Sequence, residues 1–224
     1  MNIKHLHDWD LSYDQARKIQ VLLAERVRFE KLKKNTRLIA GLDCAFSKDK
    51  KRICAVIIVL AFPDFKIVET RHAVADVAFG YIPGLLSFRE APVCIKAASK
   101  LKSVPDIFMI DGQGFAHPRR MGLACHLGVF FDKPAIGCAK SRLIGTFDEV
   151  GIDKGDYSLL KDKDQTVGVV LRTRKNVKPI FVSVGNKCLL EDAIRVVLAC
   201  ATRYRLPEPT RLAHQKVSRL KPEI

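Results

Sequence analysis

Two aspartates sit where an aspartate is costly. Asp43 interrupts the apolar run Leu38-Ile39-Ala40-Gly41-Leu42-Asp43-Cys44-Ala45-Phe46, and Asp111 closes the run Ile107-Phe108-Met109-Ile110 just before Gly112. A carboxylate in such company must be paired or bound to a cation. The plainer reading of Asp43 is a partly exposed residue on an edge strand. If the two strands are neighbours, both carboxylates reach one point, and a divalent cation removes their repulsion. Oxygen ligands suit magnesium, with manganese as a substitute. Glu90 is a third carboxylate, near the start of a helix.

The stretch Asp111-Gly112-Gln113-Gly114-Phe115-Ala116-His117-Pro118-Arg119-Arg120 adds phosphate chemistry. Its two glycines allow close backbone approach. His117, Arg119 and Arg120 fall where a helix is expected to begin, and a helix N-terminus with arginines is a phosphate site. For His117, capping or packing is the competing role. Lys140 follows the apolar run Ala135 to Ala139 and, with Ser141 and Arg142, is placed to touch phosphate or to lie in a solvated loop. Tyr81-Ile82-Pro83-Gly84 puts an aromatic and apolar residues in a loop between strand and helix. Such residues wedge into base stacks, or else cover a core.

These groups need elements to hold them. Helical spacing of Ala16, Ile19, Leu22, Leu23 and Val27 predicts a helix over Leu11 to Leu32. Strands are expected at Ile39 to Phe46, Arg52 to Phe62 and Lys66 to Val77, joined by short turns into an antiparallel meander. A helix over Leu85 to Lys102, a strand at Ile107 to Ile110, a helix over Arg119 to Phe131 and a strand at Ala135 to Ala139 follow. Further strands are read at Thr166 to Leu171 and Ile180 to Val184, then a helix over Leu189 to Cys200 with Asn186 as a cap. The tail from Tyr204 carries three prolines and a basic end, and no helix is read there. The order is α/β. It matches a ribonuclease H-like mixed sheet, a three-strand antiparallel meander plus parallel strands, flanked by helices, with the first and fourth strands side by side. No linker divides the chain, so residues 1–224 read as a single domain.

Taken together, the residues resemble the endonuclease V family. The matching stretches are Gly41-Leu42-Asp43, Tyr81 to Glu90, Asp111-Gly112 with Gly114 and His117 to Arg120, Ile136-Gly137 with Ala139-Lys140, and Tyr204 to Arg211. The resemblance implies a repair endonuclease that recognises deoxyinosine in DNA. It would hydrolyse the second phosphodiester bond on the 3′ side and leave a 3′-hydroxyl and a 5′-phosphate. It implies Asp43 and Asp111 as metal ligands, Glu90 as the third active-site acid, and Lys140 and His214 as further active-site groups. Tyr81, Ile82 and Pro83 match a strand-separating wedge. Gly84, Leu86, Gly112 and Leu143 match the pocket for a flipped base. Two departures stand out: Gly80 replaces the first proline of the wedge, and Gln113 replaces a common histidine.

Composition agrees. Lys and Arg total 39 against 24 Asp and Glu, a net charge of +15, which favours a polyanionic partner. Seven cysteines without a CxxC pair, mostly in apolar stretches, read as reduced core thiols of a cytoplasmic protein. No apolar run is long enough for a bilayer, and a monomer is expected. Three rivals remain: a ribonuclease cutting inosine-containing RNA, a lesion-binding protein that does not cut, and a transposase-like or resolvase-like nuclease.

Overall fold

The computed structural model describes residues 1–33 and 35–224. The first helix, α1 (Tyr13–Ala24), starts at a capping box in which Ser12 Oγ accepts from Gln15 N–H and the Gln15 side chain accepts from Ser12 N–H. It ends eight residues before the expected Leu32. Val27 and Leu32 are nevertheless buried, because the chain beyond α1 runs irregularly over the core. Its backbone donors find side chains instead of helical carbonyls: Arg28 N–H donates to Asn186 Oδ1 and Leu32 N–H to Asp192 Oδ2.

The meander forms as expected from β1 (Leu38–Phe46), β2 (Arg52–Ala61) and β3 (Ile67–Asp76). The remaining elements are α2 (Leu86–Ala98), β4 (Ile107–Ile110), α3 (Leu123–Phe131), β5 (Ala135–Ala139), β6 (Tyr157–Asp162), β7 (Gln165–Leu171), β8 (Ile180–Asn186), α4 (Leu190–Cys200) and α5 (Glu208–Leu220). The strands make one sheet in the order β3-β2-β1-β4-β5-β8-β7-β6. The pairs β1–β4 and β4–β5 are parallel, and the other neighbours are antiparallel. The first and fourth strands do lie side by side, in register from Ile39 opposite Ile107 to Leu42 opposite Ile110. This is the ribonuclease H-like arrangement.

Both faces of the sheet are covered. Ala40, Leu42, Phe108 and Ile110 pack with α2 and α3 on one side. Ile39, Met109, Ile136 and Cys138 pack with α4 on the other, where α5 covers Cys54, Val56, Ile58 and Leu60 through Val217. Side chains alternate along a strand. Asp43 therefore shares a face with Ile39, Asp111 with Met109, and Lys140 with Cys138. All three project toward the α4/α5 side.

Three expectations need correction. The helix expected from Arg119 begins at Leu123, because Arg120 takes a positive φ of 57° and Gly122 is the N-cap. Asn186 does not cap α4, whose N-cap is Leu189. It closes β8 and donates to the carbonyls of Gly128 and Lys133. The tail, where no helix was read, holds α5 over thirteen of its residues. Pro207 and Pro209 stand at the N-cap and in the first turn, where a proline costs no hydrogen bond.

Candidate active site

β1, β4 and β5 run parallel, so their carboxyl ends lie together. Asp43 comes from the last half of β1, Asp111 from the residue after β4, and Lys140 from the residue after β5. Register brings the two aspartates together, for Asp111 N–H donates to Leu42 O at 2.9 Å.

The fourth member arrives from far along the chain. α5 lies against β1 at Gly41, where an added Cβ would stand 1.9 Å from Pro209 O. Only glycine allows that approach. It places His214, on the second turn of α5, with Nδ1 at 2.7 Å from Asp43 Oδ2. The same nitrogen lies 3.2 Å from Lys140 Nζ, and Lys140 also forms an ion pair with Asp111 Oδ2. One ligand atom each from Asp43, Asp111 and His214 fits within 4.8 Å.

The electrostatics fit a cation. Burial raises the Asp43 carboxyl to about 6, with repulsion from Asp111 adding to it. Glu90 is raised to about 8, by burial first and then by Asp43 and Asp111. Glu90 stands one turn into α2, is 9% exposed, and lies close enough to Asp43 and Asp111 to feel their charge. Two oxygen donors, one nitrogen donor and a surplus of buried negative charge suit a divalent ion.

Tyr81, Ile82 and Pro83, the residues expected to form a wedge, stand on the loop before α2. Tyr81 is 68% exposed, Leu86 41% and Leu143 48%; Ile82 is half-buried against Phe79, Leu85 and Phe88. Leu85 N–H donates to Ile82 O, with Pro83 and Gly84 between and Gly84 at φ +78°. This is the residue pattern of a type II turn. At Gly80, the position of the missing proline, an added Cβ would stand 2.7 Å from the Tyr13 hydroxyl. α1 thus presses on the loop from below.

The residues expected to bind phosphate before α3 are engaged with partners inside the protein. His117 is 3% exposed and both of its ring nitrogens are used. Nδ1 accepts from Arg119 N–H at 3.2 Å and Nε2 donates to Gly84 O at 3.1 Å. Arg119 donates to Gly84 O and to Gln20 Oε1. Arg120 pairs with Asp162 at 2.8 Å and donates to Gln165 Oε1 and His117 O. Arg142 is exposed, 5.8 Å from the Phe147 ring centroid. Of the two glycines in the Asp111–Gly114 loop, Gly114 gives room to a strand: a Cβ there would meet Val184 O at 2.2 Å. At Gly112 the nearest atoms to such a Cβ, on Leu123, are 3.6 Å away.

Two contributors carried no signal of their own in the sequence. Gln113, where a histidine is common in the resembled family, donates to Ser141 O at 2.9 Å and ties the Gly112 loop to the segment bearing Arg142 and Leu143. Arg205 donates to the carbonyls of Lys140, Lys178 and Pro179 and so fixes the end of β5. It sits inside the Tyr204–Arg211 match, the one cue that could have singled it out.

Sheet and site define a class: a ribonuclease H-like protein with a candidate divalent-cation centre at adjacent strand ends. The Argonaute of A. aeolicus, 15% identical with a TM-score of 0.51 over 87% of this chain and 30% of that one, shares the fold alone. The endonuclease V family model matches residues 21–215. Endonuclease V of Dehalococcoides mccartyi is 46% identical over 220 residues, 98% of this chain and 99% of its own. The crystal structure of the Bacillus subtilis endonuclease V superposes with a TM-score of 0.94 at 32% identity, over 98% of this chain and 97% of that one. Ciona intestinalis endonuclease V, solved with a DNA 24-mer containing an inosine followed by a ribo-adenosine, gives 0.80 at 29% identity, over 91% and 95%. The chain belongs to the endonuclease V family.

Proposed function

We propose that the protein recognises inosine in DNA and hydrolyses the second phosphodiester bond on its 3′ side, leaving a 3′-hydroxyl and a 5′-phosphate. The observation that carries this reading is the meeting of Asp43, Asp111 and His214 within 4.8 Å, on the sheet end where Lys140 also lies. Asp43 and Asp111 would hold the cation, magnesium or manganese, with His214 as a third donor. The bound ion would supply positive charge to the phosphate oxygens and a more acidic water. Burial and the charges of Asp43 and Asp111 favour the protonated form of Glu90, and a bound cation would favour its ionised form. Lys140 keeps the Asp111 carboxylate oriented and adds charge beside the scissile phosphate.

Tyr81, Ile82 and Pro83 enter the base stack, and the flipped base lies against Gly84, Leu86, Gly112 and Leu143. Backbone groups there read the edge at which inosine differs from adenine. Arg142 contacts the phosphate backbone. These parts come from β1, α2, β4, β5 and α5, so residues 1–224 work as one domain, and as a monomer. The seven free thiols suit the reducing cytoplasm, and none of the described helices is long and apolar enough to cross a membrane.

A second reading, inosine-containing RNA, is favoured by one observation: the Ciona relative was captured on a strand with a ribo-adenosine directly after the inosine. The test is one set of end-labelled oligonucleotides carrying a single inosine in DNA, in RNA, or in DNA with one ribonucleotide 3′ to it. Cleavage one nucleotide beyond the base's own 3′ phosphodiester is expected in magnesium or manganese and not in a chelator. Binding without cutting on every substrate would refute the enzymatic reading.

A further inference from the structure

The Gly84 carbonyl is held with unusual completeness. It accepts from Arg119 Nη2 at 2.6 Å and from His117 Nε2 at 3.1 Å. An added Cβ at Gly84 would meet Arg119 Nη2 at 2.8 Å, so the guanidinium lies flush against the turn. That guanidinium is itself aimed. Its Nε donates to Gln20 Oε1 at 2.5 Å, and Gln20 Nε2 donates to Met121 O at 3.1 Å. Gln20 is fully buried and both ends of its carboxamide are engaged, so it has one orientation. Burial, then the charge of Arg119, pushes the His117 imidazole down to about 4. The ring is neutral, and the bond from Arg119 N–H to Nδ1 fixes the tautomer with its proton on Nε2.

We propose that Gln20 and Arg119 form a positioning relay that sets selectivity for the base: Gln20 on α1 orients Arg119, and Arg119 with His117 locks the Gly84 peptide that walls the base pocket. The inference rests on the reading of Gly84 as pocket wall. Phosphate contact by Arg119 is the competing role. A guanidinium committed to a carbonyl and a carboxamide inside the protein is poorly placed for it. Base discrimination needs polar groups fixed in place, because an unfixed group can turn to suit the wrong base. Gly84 has no side chain to brace it and a positive φ, so the bracing comes from outside. α1 supplies it, although α1 contributes nothing to the cation site.

The test compares kcat/KM on single-stranded DNA carrying inosine or adenine at one position. Wild type must favour inosine; equal cleavage of both would refute the pocket reading itself, before the relay is at issue. Gln20→Leu and Gln20→Glu both lose the bond to Met121 O. Only Gln20→Leu loses the acceptor for Arg119. The inosine-to-adenine ratio is expected to fall by about tenfold or more in Gln20→Leu and to hold in Gln20→Glu, even where melting shows both to be less stable. Equal ratios in the two variants, whether lowered or unchanged, would overturn the relay. Arg119→Met gives a second measure, in case Gln20→Leu does not fold. Its salt dependence of duplex binding should match wild type while the ratio falls. A slope reduced by about 0.9 with the ratio intact would make Arg119 a phosphate contact and would equally overturn the proposal.

Discussion

Asp43 and Glu90 keep protons at pH values where free carboxylates have lost them, near 6 and near 8. In both, burial is the first cause and the neighbouring carboxylates the next. Folded pKa values above the unfolded ones mean that the cation-free protein binds more protons when folded, so its stability falls as pH rises through that window. His117 and His126 act in the opposite sense: held at about 4 and about 3, chiefly by burial, they add stability as pH rises to about 6.5, where the unfolded imidazoles become neutral. Between pH 6.5 and 8 only the Glu90 slope remains of these four. Melting in a chelator should therefore decline from pH 6.5 to 8, and magnesium should raise the melting temperature more at pH 8 than at pH 6.5, since binding displaces protons. An equal increment at both pH values would contradict this origin of the Glu90 shift. Replacing the ligands tests the same centre. Asp43→Asn and Asp111→Asn should each lower cleavage by about 100-fold or more, beyond what outer-shell changes cost, with binding of inosine DNA in calcium retained.

At the scale of elements, α5 is the part on which the centre turns. Gly41 admits it, and Gly41→Ala would drive a methyl into Pro209 O. Overpacking of that kind costs about 1–3 kcal/mol, and it should also draw His214 away from Asp43. The expected result is a lower melting temperature together with a magnesium affinity weakened by about tenfold or more. Isothermal titration of a folded variant with unchanged affinity would show that α5 tolerates the shift. The loop before α2 makes a separate prediction. Tyr81→Ala should weaken binding to inosine duplex more than to single strands, because unstacking of a few kcal/mol is needed only where a stack exists. Equal losses on both would give Tyr81 a merely structural part.

The elements differed in how far their residues announced them. β1 to β5 were legible because apolar runs broken by turns leave few alternatives, and the β1–β4 pairing followed from their order. α5 was not: its buried apolar face is only Ala213 and Val217 amid charge, and the prolines at its start open the helix without announcing it. β6 alternates, but its exposed members Tyr157 and Leu159 dilute the pattern. Asp43 and Asp111 could be read from their apolar surroundings and Lys140 from its strand end, though not its pairing with Asp111, whereas His214 needed the family resemblance. The bonds of His117 and Arg119 depend on a turn 33 to 35 residues away, which no local spacing records.

At the scale of the whole molecule, if the net charge of +15 is concentrated around the candidate site, much of the affinity for DNA should be electrostatic and independent of the lesion. Phosphate contacts strengthen binding to every sequence alike, and the base pocket strengthens it only for inosine. Raising salt in calcium should weaken inosine and normal duplexes with similar slopes, leaving their ratio nearly constant. Arg142→Ala should reduce the slope by about 0.9 and keep the ratio. A changed ratio at constant slope would move Arg142 from the backbone to the base.

The contact between Asp43 and His214 joins residues 171 positions apart. His214 reaches Asp43 only through the docking of α5 on β1, so the four-residue cluster is complete only when that helix is seated. A chain whose sheet has formed but whose α5 has not docked already carries Asp43, Asp111 and most of the positive charge. It would hold nucleic acid while lacking the third donor of its cation centre. On this reading of the site, cutting power is tied to one late-sequence helix: a chain with α5 undocked would lack the complete cation centre.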